Sequence, residues 1–354
     1  MLHCTQHLFK NSWMTTAYVI GLAWIFVAGV AQGVFVLPMK YTRAWKWEHL
    51  WLWFSVIAFF ILPLAVALST VPRLAEVYSL VPPRQIMLAA LFGLGWGAGS
   101  VFFGLGVDAL GMALGFSIST ALYTSLGALI PLVLLTPDMI FQRNGLMVIA
   151  GNIVTTAGVV VCAIAGDRRD KVLENKPVTG MIGPKRSFSL ALTFCILSGV
   201  LSAALNFGYA FCPAIMTAAA KLGATKDNAL NAMWLVLIPA GGLLNVGYCF
   251  LLLQKNKSWS RLVIQSTFVD WLDALLMGIL WTGSVIVYGW GANDLGRLGP
   301  TLGWSLWNAI LIATTFICGL ITHEWQGVKG RPLHLLYVGI AVMIVGMFVL
   351  GLGV

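Results

Sequence analysis

Charge is what this chain has least of. Only 9% of its 354 residues are Asp, Glu, Lys or Arg, against 59% hydrophobic. A soluble protein of this length needs far more charge to solvate its surface, so the composition belongs to the polytopic membrane class. The net charge of +9 is compatible with nucleic acid, but the basic residues lie between apolar runs rather than on a basic domain. No nucleic-acid partner is expected. Reactive patterns are missing as well: GxSxG, HExxH, the P-loop and cysteine–histidine zinc spacings do not occur. That argues against an enzyme and leaves no catalytic residue, metal or cofactor to assign. The 6 cysteines are dispersed, mostly inside apolar runs and without CxxC, and read as reduced, buried small hydrophobes. No cleavable signal is evident, since MLHCTQHLFKNSW holds one lysine and no apolar core precedes residue 16.

What is present is apolar length. Ten runs, near 16–38, 48–71, 86–107, 111–136, 144–165, 189–214, 229–253, 269–292, 299–321 and 333–353, are each long enough to cross a hydrocarbon core, which takes roughly 20 residues. The reading is an all-α polytopic membrane protein of ten transmembrane helices, with the lipid bilayer as its surroundings. The third and fourth runs nearly merge around Asp108 to Gly111, and the eighth and ninth around Asn293 to Gly299, so a tight hairpin joins each pair. Pro38, Pro63, Pro131, Pro213 and Pro239 fall in or at the ends of spans, where each marks a helix end, a static bend or a kink.

A repeat organises these runs. The stretch GLGWGAGSVFFGLGVDALG (Gly93 to Gly111) is matched without a gap by GILWTGSVIVYGWGANDLG (Gly278 to Gly296). Gly93, Trp96, Gly104, Gly106, Leu110 and Gly111 fall on Gly278, Trp281, Gly289, Gly291, Leu295 and Gly296. With five spans between the copies, the second half is inverted relative to the first. Residues 1–165 form the first five-helix repeat, 166–188 a cytoplasmic linker loop and 189–354 the second repeat. Inverted repeats are the signature of alternating access, with the substrate site where the halves meet.

Basic residues set the orientation. The connections after helices one, three, five, seven and nine hold 14 of the 21 Lys and Arg, and the opposite side with both termini holds 7. The richer side is expected to be cytoplasmic, so both termini of this inner-membrane protein are expected to be extracytoplasmic.

Polar side chains inside spans face protein or a water-filled cavity rather than lipid. Gln32 and Asn206 sit deep in the first and sixth runs, the corresponding helices of the two halves. Asn245 and Asn308 add amides, and Tyr123, Tyr209 and Tyr288 hydroxyls at similar depth. Together with the indoles of Trp96 and Trp281, they suit a neutral, hydroxyl-rich ligand such as a sugar. The alternative is that the amides bond helix to helix. Carboxylates are scarcer. Asp270 and Asp273 share one face at the start of helix eight, Glu48 opens helix two beside His49, and Glu324 follows helix nine. A proton carrier needs a carboxylate shielded from water in at least one state, and the candidates are Asp273, Glu48 and Asp270.

A family resemblance lies in these residues. LPMKYTRAWKWEHLW (Leu37 to Trp51), FGLGWGAGSVFFGLGVDALGMALG, LNFGYAF, IPAGGLLNVGYC and HEWQGVKGRP are similar, in the same order, to the L-rhamnose–proton symporter family of the drug/metabolite transporter superfamily. The resemblance implies ten helices in two inverted repeats and uptake of a deoxyhexose with a proton. Pro38, Lys40, Trp47, Glu48, Trp96, Asn206, Gly242, Asn245, Glu324 and Arg331 stand where the family pattern has them. ANDLGRLGPTLGW (Ala292 to Trp304) departs from it, lacking a histidine and lacking an aspartate at the place where rhamnose-transporting members carry them. That leaves the sugar and the coupling ion open.

The leading expectation is a secondary transporter that imports a rhamnose-like neutral sugar with a proton. An exporter or exchanger of another metabolite on the same fold is the nearest alternative. A membrane sensor is disfavoured because no loop is long enough for an output domain, and no obligatory protein partner is evident.

Overall fold

A computed structural model of the chain describes residues 2–110, 112–173, 188–262 and 267–352. Among the described residues, ten helices are long and apolar enough to cross a membrane: α1 (Thr16–Lys40), α2 (Trp47–Thr70), α3 (Pro83–Gly106), α4 (Ile118–Leu135), α5 (Arg143–Arg169), α6 (Ser189–Lys221), α7 (Ala229–Asn256), α8 (Phe268–Asp294), α9 (Gly296–Ile321) and α10 (Arg331–Gly351). Helices meet most of their backbone polar groups internally, as a hydrocarbon environment demands. Gly111, between α3 and α4, lies outside the described residues, whereas α8 and α9 join through a tight turn as expected.

Four spans depart from plain α-helix, and proline accounts for most of the irregularities, the break of α6 at Ala203 excepted. α1 closes in a 3₁₀ turn, Leu37–Lys40, built on Pro38. α2 carries a π turn at Ile57–Ile61 immediately before Pro63, which has no N–H to continue the α ladder. α6 does not stop near residue 214: it breaks at Cys212, ahead of Pro213, and continues to Lys221. α9 opens through a 3₁₀ turn and a π turn, Gly299–Gly303, around Pro300. The linker expectation shifts too, because the α5 helix continues to Leu173, and residues 174–187 lie outside those described.

Packing follows a regular scheme. α1 lies against α8 and α9, while α6 lies against α3 and α4; α2 meets α7 and α8, α3 meets α7, and α5 pairs with α10. Small residues permit the closest approaches. A Cβ on Gly106 would meet Cys195 of α6, and one on Gly291 would meet Gly21 and Ile25 of α1. Gly93 is closed off by Leu237 of α7 and Gly278 by Ile57 of α2.

Polar contacts tie the connections at both ends of the bundle. At one end Lys40 and Arg169 pair with Glu324, and the Arg43 and Ala44 amides donate to Asp270. At the other, Arg297 forms a two-pronged pair with Asp138 at 2.9 and 3.2 Å, Lys226 approaches Asp294 at 3.5 Å, and Arg73 donates to the Leu222 carbonyl at 3.3 Å.

Candidate functional site

Between the helices lies a cavity of about 240 Å³ to which every span except α5 and α10 contributes. Ten of its 18 lining side chains are aromatic and none carries a charge at neutral pH, so the wall suits an uncharged solute with an apolar face. Trp96 and Trp281, the tryptophans that fall in register in the sequence repeat, come together here with ring centroids 5.4 Å apart at 30°. Phe59 meets both edge-on, at 5.2 and 4.8 Å, an arrangement that fixes the two indoles. Trp304 and Trp307 lie 5.3 Å apart, and Tyr123 stands edge-on to Trp304 at 6.1 Å.

The polar part of the wall is small. Gln32, 7% exposed, has a buried Oε1 with no partner, and so does the Thr120 hydroxyl at 1% exposure. Asn245 accepts from the Trp51 indole N–H at 3.4 Å and donates to the Gly241 carbonyl at 3.3 Å. Asn308 donates to the Trp304 carbonyl at 2.9 Å, and Ser100 to the Trp96 carbonyl at 3.1 Å. Ser202 completes the set.

Six of the residues expected to bind substrate therefore share one cavity: Gln32, Trp96, Tyr123, Asn245, Trp281 and Asn308. Asn206, Tyr209 and Tyr288 stand apart in a network of their own. Asn206 donates from Nδ2 to the Gly127 carbonyl at 2.8 Å and the Pro300 carbonyl at 2.5 Å, and accepts from the Tyr288 hydroxyl at 2.6 Å. The Gly127 carbonyl is free because its α-helical partner four residues on is Pro131, which has no N–H. Tyr209 donates to Asn293 at 3.2 Å, and Tyr288 stacks on Trp307 at 4.8 Å. This network joins α6 to α4, α8 and α9 toward the end of the bundle where Lys226 and Arg297 make their pairs.

None of the three candidate carboxylates lines the cavity, and their surroundings differ. Asp270 is fully buried and saturated. Its Oδ1 accepts from the amides of Arg43, Ala44 and Trp45 at 2.8, 3.1 and 3.5 Å, and its Oδ2 from the Thr267 amide and hydroxyl, both at 2.8 Å. It thus caps α8 in a capping box and clamps the α1–α2 connection to that helix. Glu48, 6% exposed, accepts from Asn256 at 3.0 Å and Ser258 at 3.2 Å, linking the start of α2 to the end of α7. Asp273 has one weak contact, from the Thr42 hydroxyl at 3.4 Å, while only 5% exposed.

Several wall residues escape a reading of polar groups in the sequence. Trp304, Trp307 and Asn308 carried a signal, since WSLWN places all three on one helical face. Trp51 and Phe59 sit in runs too apolar to mark a face. Thr120 resembles the other hydroxyls of membrane helices; Ser55, Thr124, Thr155 and Ser198 also lack a partner, and only its place on the cavity wall distinguishes Thr120 from them.

The description "L-rhamnose-proton symport protein" belongs to a family model that matches residues 14–354. L-rhamnose-proton symporters are similar along the whole length. One from Escherichia coli O17:K52:H18 is 26% identical over 347 residues, covering 96% of this chain and 99% of its own. One from Mannheimia succiniciproducens is 24% identical over 352 residues, with the same coverage of each chain. One from Citrobacter koseri is 25% identical over 347 residues, again covering 96% and 99%.

Proposed function

The chain belongs to the L-rhamnose-proton symport protein family, and from that premise we propose that it imports L-rhamnose, or a closely similar neutral deoxyhexose, together with a proton. The observation that carries the reading is the cavity wall: indoles to cover the apolar face of a sugar ring, amides and hydroxyls to meet its hydroxyls, and no charged side chain. Eight helices frame the cavity, which suits a substrate site between the helices of a transporter of this kind.

The absence of charge on that wall separates the two substrates. A proton needs a group that titrates, and the titratable candidates lie outside the cavity. Asp270 has five donors directed at it and no open place for a proton. Glu48 is held by two donors. Asp273 is shielded yet almost unbonded, so it is the carboxylate free to take up and release a proton. It lies on α8, two turns before Trp281, so a shift of α8 on protonation is felt at the indole pair.

Two inverted repeats are the architecture we infer. The packing scheme supports it, because adding five to each helix number leaves the scheme unchanged: α1 on α8 and α9 becomes α6 on α3 and α4. Repeat-equivalent glycines likewise pack against repeat-equivalent helices, Gly106 on α6 and Gly291 on α1, Gly93 on α7 and Gly278 on α2. The 14-to-7 division of basic residues supports extracytoplasmic termini. Cysteines introduced at Arg73 and at Lys257 test this: an impermeant reagent on intact cells should label the first and spare the second, and the reverse pattern would sink the orientation.

Transport itself is tested in proteoliposomes. The protein should exchange radiolabelled L-rhamnose and accumulate it when an inward proton gradient is imposed. Asp273→Asn should exchange sugar as before and accumulate none, because exchange needs no net proton movement. Failure of the unaltered protein to exchange L-rhamnose would remove the sugar assignment, and accumulation by Asp273→Asn would remove Asp273 from the proton route.

A further inference from the structure

Hydroxyl side chains are readily buried in a membrane helix when they bond back to a carbonyl one turn earlier. This chain uses that device repeatedly. Thr70, Thr136, Thr315 and Thr322 donate to Val66, Leu132, Leu311 and Cys318 at 2.6, 3.2, 2.9 and 2.8 Å. On the cavity wall Ser100 does the same toward Trp96. Thr120 does not. Its hydroxyl is buried without a partner, as are those of Ser55, Thr124, Thr155 and Ser198, but of these residues only Thr120 lines the cavity, and Gln32 on the same wall has an Oε1 that is likewise buried and unpartnered. A buried polar atom without a partner lowers stability, and in a native structure it calls for an explanation. Here both orphans lie in a cavity that already carries paired indoles, the setting in which a hydroxyl-bearing ligand supplies the missing bonds.

We propose that Gln32 and Thr120 determine the sugar specificity of this cavity. Gln32 Oε1 accepts from one ring hydroxyl, the Thr120 hydroxyl bonds a second, and the apolar face of the ring lies against Trp96 and Trp281. The assignment rests on the reading of the cavity as the sugar site and deepens it. The ligand class is a neutral pyranose recognised along one hydroxyl-bearing edge. Asn245 and Asn308, each of which gives one amide N–H to a carbonyl of its own helix, Gly241 and Trp304, shape the wall around it. A site built to bond a substrate hydroxyl rejects the analogue that lacks it, because its own buried group is then left unpaired.

The experiment measures L-rhamnose binding by calorimetry on the purified full chain, with thermal unfolding in parallel. A series of monodeoxy analogues follows, each lacking one ring hydroxyl. Thr120→Val keeps the shape and removes the hydroxyl, Gln32→Met removes the amide at similar length, and Thr120→Ser retains the hydroxyl. Thr120→Val and Gln32→Met should each weaken L-rhamnose binding roughly tenfold without lowering the unfolding temperature, whereas Thr120→Ser should bind as the unaltered protein does. Each weakened variant should also lose discrimination against one monodeoxy analogue, a different one for each residue. Unchanged affinity in Thr120→Val and Gln32→Met, or weaker binding with discrimination fully preserved, would overturn the assignment while leaving sugar import standing. An unaltered protein that neither binds nor exchanges L-rhamnose overturns the import reading and the assignment with it.

Discussion

Gln32 of α1 and Asn206 of α6 are both buried amides within spans, yet their surroundings are opposite. Asn206 gives both N–H groups and its oxygen to protein, whereas Gln32 lines the cavity and its oxygen has no partner. Asp270 and Asp273 repeat the contrast one turn apart on α8, the first with five donors and the second with one at 3.4 Å. The functional group is the same within each pair, so residue type does not sort them. Bonding does: a saturated polar group holds helices together, and an unsaturated one is available to something that comes and goes.

Substitutions can break that contrast. The largest effect is expected at Asp270, where replacement by Asn removes the charge from five donors and turns part of the acceptor into a donor facing them. Hydrogen bonds to charged groups contribute about 1.5–3 kcal/mol each, so Asp270→Asn should lose roughly 3 kcal/mol or more of stability, read as a large drop in unfolding temperature. Asn206→Ala should come next, at about 2–3 kcal/mol, because it strands two carbonyls and a hydroxyl. Its sugar affinity, measured in the same preparation, should stay within about twofold of the unaltered protein, less than the loss of a single ligand hydrogen bond. A loss of affinity at full stability would instead place Asn206 at the ligand. The smallest effect on stability is expected for Asp273→Asn, under about 1 kcal/mol, since it has almost nothing to lose. A fall as large as that of Asp270→Asn would show that the two carboxylates do the same work.

Hydropathy made the ten spans legible because a bilayer selects on length and polarity alone, and both are written locally. The same locality explains what was hidden. The π turns of α2 and α9 depend on where Pro63 and Pro300 leave carbonyls and on which neighbours take them. The continuation of α6 past Pro213 rests on packing against α7 and the short helix after α2. In the candidate site, Trp96 and Trp281 were visible as a repeat and Asn308 as an amide within a span, while Trp304 and Trp307, on the same helical face as Asn308, were not singled out. Thr120 and Asn206 were not separable by residue type. A hydroxyl and an amide in a membrane helix look alike whether bonded or not, and partners up to a hundred residues away in sequence decide between the two states.

Pro131 gives the Asn206 network a consequence of its own. One side chain both splints a gap in α4 and rivets that helix to the opening turn of α9. Any movement that draws α6 away from α4 and α9 exposes the carbonyls of Gly127 and Pro300 together, and only water can then satisfy them. Separation at that end of the molecule is therefore a wetting event as much as a displacement, and its rate is set by how readily water enters a seam packed with Tyr288, Trp304 and Trp307.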